Sequence, residues 1–201
     1  MQDSKHTTKT KIFDAALRLF AAQGVENVSM RDIADAVGIK AASIYNHYSS
    51  KEQIVEMCYD FFLDNHDITR MSVEQQRYIL INGTKEEIIL VPVEKIPEEM
   101  EDNFIYAMSI LFSRIYTDSL AIQKYTEMID RSLQFLKSFF ELGIETGRFS
   151  PFPVMEVAIL FLSIRLFFAQ STTIHPVSLH DSDWTHERLI LELINNIPFN
   201  Y

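Results

Sequence analysis

Between Val37 and Gln53 the chain reads VGIKAASIYNHYSSKEQ, and the tyrosines, histidine and lysines gathered there are of the types that grip phosphate. Other residues carry chemistry of different kinds. His175, His180, Asp181, Asp183 and His186 are metal-ligating types, but their spacing fits no closed zinc pattern and they fall in a polar stretch, so solvated surface is expected there and no metal site. Asp64 to Asp67, reading DNHD, is taken the same way. Arg165 lies inside the apolar run VAILFLSIRLFFA, where a guanidinium needs a partner: an acid on another helix, a second copy of the chain, or an anionic ligand. A structural ion pair is the favoured of these. Catalytic chemistry finds no footing, because there is no Gly-rich phosphate loop, no His-Glu-x-x-His, no nucleophile elbow and no carboxylate pair. The expectation is a protein that is not an enzyme and needs no cofactor.

The residues that would hold phosphate sit in an acidic chain, with 18 Lys/Arg against 28 Asp/Glu and a formal net charge of −10. The acidity is unevenly spread. Residues 1–51 carry seven Lys/Arg against five Asp/Glu, net +2, which leaves the remainder at net −12. A duplex feels charge within about one Debye length, ~8–10 Å, so a mildly cationic first quarter can approach DNA if the acidic remainder faces away. At 201 residues, 47% apolar and 12% aromatic, with only five glycines and six prolines, the composition predicts an all-α globular protein. The single cysteine, Cys58, fits a reducing compartment. The opening MQDSKHTTKTK is followed by no apolar run of signal-peptide length, and Val157 to Ala169 is too short to span a bilayer. A cytoplasmic location away from membranes is expected.

Apolar periodicity and capping residues predict the elements that would position these side chains. Ile12, Ala15, Ala16, Leu19 and Phe20 recur on one helix face between Thr8 and Gln23, and Gly24 stops it. Ser29 with Asp32 approximates a capping box before MRDIADAV, and Gly38 supplies the left-handed turn into AASIYNHY. Ser50 to Gln53 is a second capping box, opening a long helix through Ile54, Met57, Cys58, Phe61 and Phe62. Short broken helices are expected from Asp67 to Pro97, with Asn82-Gly83 as a turn and Thr84 starting a helix. After them come FIYAMSILFSRIY, apolar nearly all round, and a long helix from about Leu120 to Leu142 that stops at Gly143 or Gly147. VMEVAILFLSIRLFFAQ forms another apolar helix after Pro151 and Pro153, and a last one carries Trp184, Leu189, Ile190, Leu193 and Ile194. Ala34 suits the close approach of two short helices crossing at Gly38, and Ile33, Val37, Ile39 and Ile44 suit their inner faces: together, a helix-turn-helix.

With those residues in view, VSMRDIADAVGIKAASIYNHYSSKEQIV resembles the N-terminal DNA-binding domain of the TetR family of bacterial transcriptional regulators. The close match covers about Thr8 to Val55, and its Tyr-x-x-Tyr-x-x-Lys ending is the most telling part. The resemblance implies a DNA-binding domain over 1–52 and a helical ligand-binding and dimerisation domain over 53–201. It implies that Ala41 to Tyr48 enters the major groove, and that Arg31 reaches a base or phosphate. Ala41 and Ala42 can offer only apolar contact to a thymine methyl, Ser43 can hydrogen-bond a base or phosphate, and Tyr45, Asn46, His47 and Lys51 fall at backbone-contact positions. Tyr48 is expected in the core. Where the family often has a capping serine, this chain has Lys40, whose charge at a helix N-terminus costs about 0.3–1 kcal/mol unless a phosphate offsets it.

In the acidic part, Phe104, Met108, Phe112, Phe139, Arg165 and Phe168 are the candidates to line a ligand pocket, although packed core accounts for any one of the apolar five. The helices starting at Val154 and Trp184 are the candidate pairing surface. The implied function is a homodimeric repressor, released from a near-palindromic double-stranded operator by an unidentified small-molecule effector. The alternative is a helical enzyme or ligand carrier in which the helix-turn-helix pattern is incidental.

Overall fold

The computed structural model describes residues 7–65, 71–91 and 98–174, all helices and connecting turns apart from one isolated bridge residue at Phe149. The chain divides into two compact units, Met1–Asn65 with Ile96–Tyr125, and His66–Lys95 with Thr126–Tyr201. The last expected helix, with Trp184, and the histidine cluster from His175 lie outside the described residues.

The first unit is built on α1 (Thr8–Gln23), α2 (Met30–Val37), α3 (Ala41–Ile44), α4 (Lys51–Asn65) and α7 (Glu98–Arg114). Thr7 caps α1 by accepting from the Thr10 amide, and Gly24, at φ 82°, ends it. A 3-10 turn, Val25–Asn27, leads to α2. α1 and α4 both pack against α7, and the core between them holds Ile12, Phe20, Ile54, Phe62, Ala107 and Leu111, each at most 1% exposed. Phe62 sets its ring 5.0 Å from Phe104 and 6.0 Å from Phe112, and Phe112 meets Tyr125 edge-on at 5.7 Å. FIYAMSILFSRIY is less enclosed than its composition suggests: Phe104, Ala107, Met108, Ile110 and Leu111 are buried, whereas Tyr116 is 90% exposed.

The second unit takes α5 (Val73–Asn82), α6 (Lys85–Leu90), most of α8 (Ser119–Glu145) and α9 (Val154–Ile174). The broken-helix expectation between Asp67 and Pro97 holds for its described part, because Ser72 with Gln75 and Thr84 with Glu87 each form a reciprocal capping box. α8 runs through Gly143 and ends before Gly147, whose φ of 75° breaks it. Gly143 is needed for a different reason. A Cβ there would stand 2.1 Å from the Phe149 ring. That ring joins Phe139, Phe140, Phe161, Leu136 and Leu162 in the core of this unit.

α9 is buried on one side only. Ala158, Phe161 and Leu162 are buried, but Met155, Ile159, Leu160 and Phe167 are 41–58% exposed. Positions 155, 159 and 167 lie toward one side of the helix, an exposed apolar stripe among the described residues.

Candidate nucleic-acid interface

Three local devices fix the geometry of the helix-turn-helix. The first is the start of α2, where the Ser29 hydroxyl accepts from the Asp32 amide at 3.3 Å while the Ser29 amide donates to the Asp32 carboxylate at 2.8 Å. The Ser29 hydroxyl, followed by its amide, holds the Asp32 carboxyl below the usual carboxylate range. The second is Gly38, in the left-handed region at φ 73°, ψ 32°. Its amide donates to Asp35 O at 3.1 Å and the next amide, of Ile39, reaches Ala34 O at 3.0 Å. The third is burial: Ile33, Ala34 and Ile44 are fully buried between α1, α2 and α3.

Tyr48 closes the module from below. It is 1% exposed, its hydroxyl donates to Lys9 O at 3.1 Å, and the Lys9 ammonium lies 5.5 Å over its ring. Burial pushes its phenol up to about 12. Tyr48 is thus a core residue, as its place in the sequence suggested.

With that side anchored, Lys40, Ala42, Tyr45 and Asn46 are exposed, Tyr45 at 57%, while Ala41, Ser43 and His47 are half-buried beside them. Arg31, on α2, is also exposed and stands 3.8 Å from Asp35, one turn along. All of these belong to the first unit. The helix expected over Ala41 to Tyr48 is shorter: α3 proper is Ala41–Ile44, and Tyr45 to His47 continue as a turn in which the Asn46 and His47 amides reach back three residues. A single helical turn has too few aligned peptides for a full macrodipole. The penalty expected for Lys40 shrinks accordingly, and its side chain makes no capping bond.

Lys51 differs from its sequence-based expectation. Its ammonium turns back onto the chain, donating to Val25 O at 2.9 Å and Val28 O at 3.1 Å, the first residue of the 3-10 turn and the residue that follows it. The expected capping box at Ser50 is shifted too. Ser50 Oγ accepts from the Gln53 amide, but the Gln53 carbonyl takes the Ser49 amide at 2.7 Å rather than that of Ser50.

The candidate ligand residues divide between the units. Phe104, Met108 and Phe112 are packed in the first. Phe139 is in the core of the second, its ring 6.1 Å from both Phe135 and Phe140. Arg165 is half-buried on α9. Phe168 is a residue of α9 whose side chain is outside the described set. Among the described residues no three His, Cys, Asp or Glu side chains gather as a metal site, and no helix is long and apolar enough to cross a membrane.

Sequence reasoning passed over Arg114, at the end of α7. Its Nε donates to the Tyr59 hydroxyl at 3.0 Å and to Asp118 at 3.3 Å, one Nη donates to Asp118 at 3.2 Å, and the other holds Glu26 of the 3-10 turn. Tyr59 donates to the same Asp118 oxygen at 2.9 Å. The second Asp118 oxygen accepts from the Leu120 and Ala121 amides, capping α8. Burial pulls the Arg114 guanidinium down, yet its bonds to Glu26, Tyr59 and Asp118 hold it above the ordinary value. Burial likewise works against the Asp118 carboxylate, and the bonds from Tyr59, the two amides and Arg114 outweigh it, leaving Asp118 below the usual range. The visible signal was Arg114 with Asp118 one helical turn on.

Fold and surface together define a helix-turn-helix module followed by further helices. Comparison with known proteins sharpens that class. Residues 12–58 match the family model described as bacterial regulatory proteins, tetR family. The biofilm operon icaADBC negative transcriptional regulator IcaR of Staphylococcus epidermidis is 43% identical over 67 residues, 29% of this chain and 36% of that protein, so the match spans about a third of its length. The transcriptional repressor KstR2 of Rhodococcus jostii is 28% identical over 161 residues, 79% of this chain and 76% of that one. The TetR-family regulator PfmR of Thermus thermophilus shares the fold with a TM-score of 0.62 at 20% identity, over 92% of this chain and 94% of its own. Over its N-terminal part the chain is thus similar to the TetR family of bacterial transcriptional regulators, and over most of its length it shares their fold.

Proposed function

We propose that the chain is a cytoplasmic, homodimeric repressor that holds a near-palindromic operator until a small-molecule effector releases it. The observation that carries this is the outward set Lys40, Ala42, Tyr45 and Asn46, presented by a module whose inward set, Ile33, Ala34, Ile44 and Tyr48, is at most 1% exposed. Residues 1–52 read DNA, with Arg31, Ala41, Ser43 and His47 flanking the outward set. Residues 53–201 bind the effector and pair the subunits. Lys51 acts mainly by fixing the 3-10 turn, with one ammonium proton left for a phosphate. Two relatives named as a negative regulator and a repressor support the sign of regulation.

One such head makes few contacts, so two related by a two-fold axis are needed for specificity. The apolar stripe of Met155, Ile159 and Phe167 on α9 supports pairing with a second copy of the chain, which would take it out of water. Phe104, Met108, Phe112, Phe139, Arg165 and Phe168 are the candidates for effector contact.

The test is binding to bulk duplex DNA across a salt series. Each neutralised phosphate contributes about −0.9 to the slope of log affinity against log salt, so a regulator gives a steep line. The joint variant Lys40→Ala, Tyr45→Ala should lower affinity at every salt concentration and flatten the slope. An affinity that does not change with salt, or a joint variant indistinguishable from the parent, refutes the assignment.

A further inference from the structure

The Glu26 carboxylate stands in the cationic head of a DNA-binding chain, 76% exposed, where electrostatics alone would have it repel phosphate. Its partner explains its presence. Arg114 reaches it from the end of α7, and the same guanidinium is held by Tyr59 of α4 and by Asp118, the residue that caps α8. Lys51, from the start of α4, holds the carbonyls of Val25 and Val28 on either side of Glu26. The 3-10 turn that sets how α2 leaves α1 is therefore gripped twice, once through its backbone and once through its only acidic side chain.

Resting on the DNA-binding assignment above, we propose that Arg114 is a positioning residue for DNA recognition: by holding Glu26 it fixes the 3-10 turn, and with it the placement of α2 and α3, without touching DNA. Because Glu26 and Asp118 share one guanidinium, the head and the first turn of α8 are linked through a single side chain. A displacement of either carboxylate changes the hold on the other.

The sign of one substitution separates this role from plain electrostatics. Glu26→Gln removes a negative charge from the head, which by charge alone tightens binding to every duplex. Loss of the grip on the turn instead weakens binding to the duplex whose grooves the two heads must match. The probes are a duplex selected from a random-sequence pool by the unsubstituted chain, and bulk genomic DNA, both at one salt concentration. Glu26→Gln is expected to weaken the selected duplex by about fivefold, the scale of part of one charge-assisted hydrogen bond, with bulk DNA unchanged or bound more tightly. Arg114→Gln should likewise weaken the selected duplex more than bulk DNA, which the lost positive charge can only leave unchanged or weaken, and the pair should be no worse on the selected duplex than Arg114→Gln alone.

A general loss of structure lowers both affinities together, so the ratio of selected to bulk affinity isolates positioning. Glu26→Gln, at an exposed side chain, keeps the test valid if Arg114→Gln folds poorly. Equal or tighter binding of the selected duplex by Glu26→Gln, or additive effects of the two substitutions, overturns the proposal while leaving the DNA-binding assignment standing. A parent chain that selects no duplex overturns both.

Discussion

Lys51 offers the sharpest division between two roles for one residue, and Lys51→Met separates them. Its ammonium donates at 2.9 Å to Val25 O and at 3.1 Å to Val28 O, and both valines are buried. Val25 O keeps a weak bond from the Val28 amide at 3.4 Å, so Val28 O is the acceptor that loses most. An unpaired buried acceptor costs about 1–3 kcal/mol, and because this one is only partly shielded the lower part of that range, about 1–2 kcal/mol, is expected. For a chain of 201 residues, each kcal/mol corresponds to about 2–4 °C, so the midpoint of thermal unfolding should fall by about 2–8 °C. Methionine keeps the aliphatic stem, so lost packing adds little. The assay is thermal unfolding followed by circular dichroism, run beside the salt series for bulk DNA. A phosphate contact predicts the opposite pair of results, an unchanged midpoint and a salt slope shallower by about 0.9. Observing that pair refutes the anchoring role.

Three other perturbations test the frame around the site. Gly38→Ala meets no atom within 4 Å, so its cost is purely the left-handed backbone, about 1 kcal/mol or about 2–4 °C in midpoint, and Gly38→Asn should recover part of it. Equal stability of all three would show that the turn opens without penalty. Phe139→Ala, at a residue 1% exposed and ringed by Phe135 and Phe140, should cost about 3–5 kcal/mol in a denaturant titration; a much smaller loss would place a cavity beside it. Asp118 is held below its ordinary 3.8, so the stability it contributes is complete at neutral pH and is lost as pH falls through that value towards the folded one. Asp118→Asn retains a capping side chain, so it should lower the midpoint at neutral pH and flatten its fall between about pH 5 and 3. An acid profile unchanged by the substitution would remove Asp118 from the network.

What could be seen in the sequence was whatever depended on neighbours along the chain. Ser29 with Asp32, Gly38, and the apolar faces of Ile12 to Phe20 and of Ile33, Ala34 and Ile44 act within a few residues, and each appears where its pattern put it. The contacts that the sequence did not announce share a cause. Lys51 binds carbonyls 23 and 26 residues away, and Arg114 binds Glu26 at a separation of 88, distances at which residue type says nothing of partner. Arg165 stands out for its apolar surroundings along the chain, while Arg114, which closes its helix, does not. α3 was drawn too long for another reason. Tyr45 to Tyr48 keep helical periodicity in side-chain burial, yet the backbone tightens to three-residue turns at Asn46 and His47. The outer face of α9 illustrates the remaining limit: apolarity marks what must leave water, not whether the same chain or another covers it.

Cys58 lies wholly inside the first unit, and its thiol is pushed up to about 12 by burial alone. At neutral pH almost none of it is thiolate, the form that peroxides and maleimides attack. Oxidants therefore have no handle on this sulfur in the folded protein. An experimenter gains one instead, since a cysteine introduced at the exposed Tyr45 or Asn46 could carry a fluorophore there alone, with the native sulfur left in place.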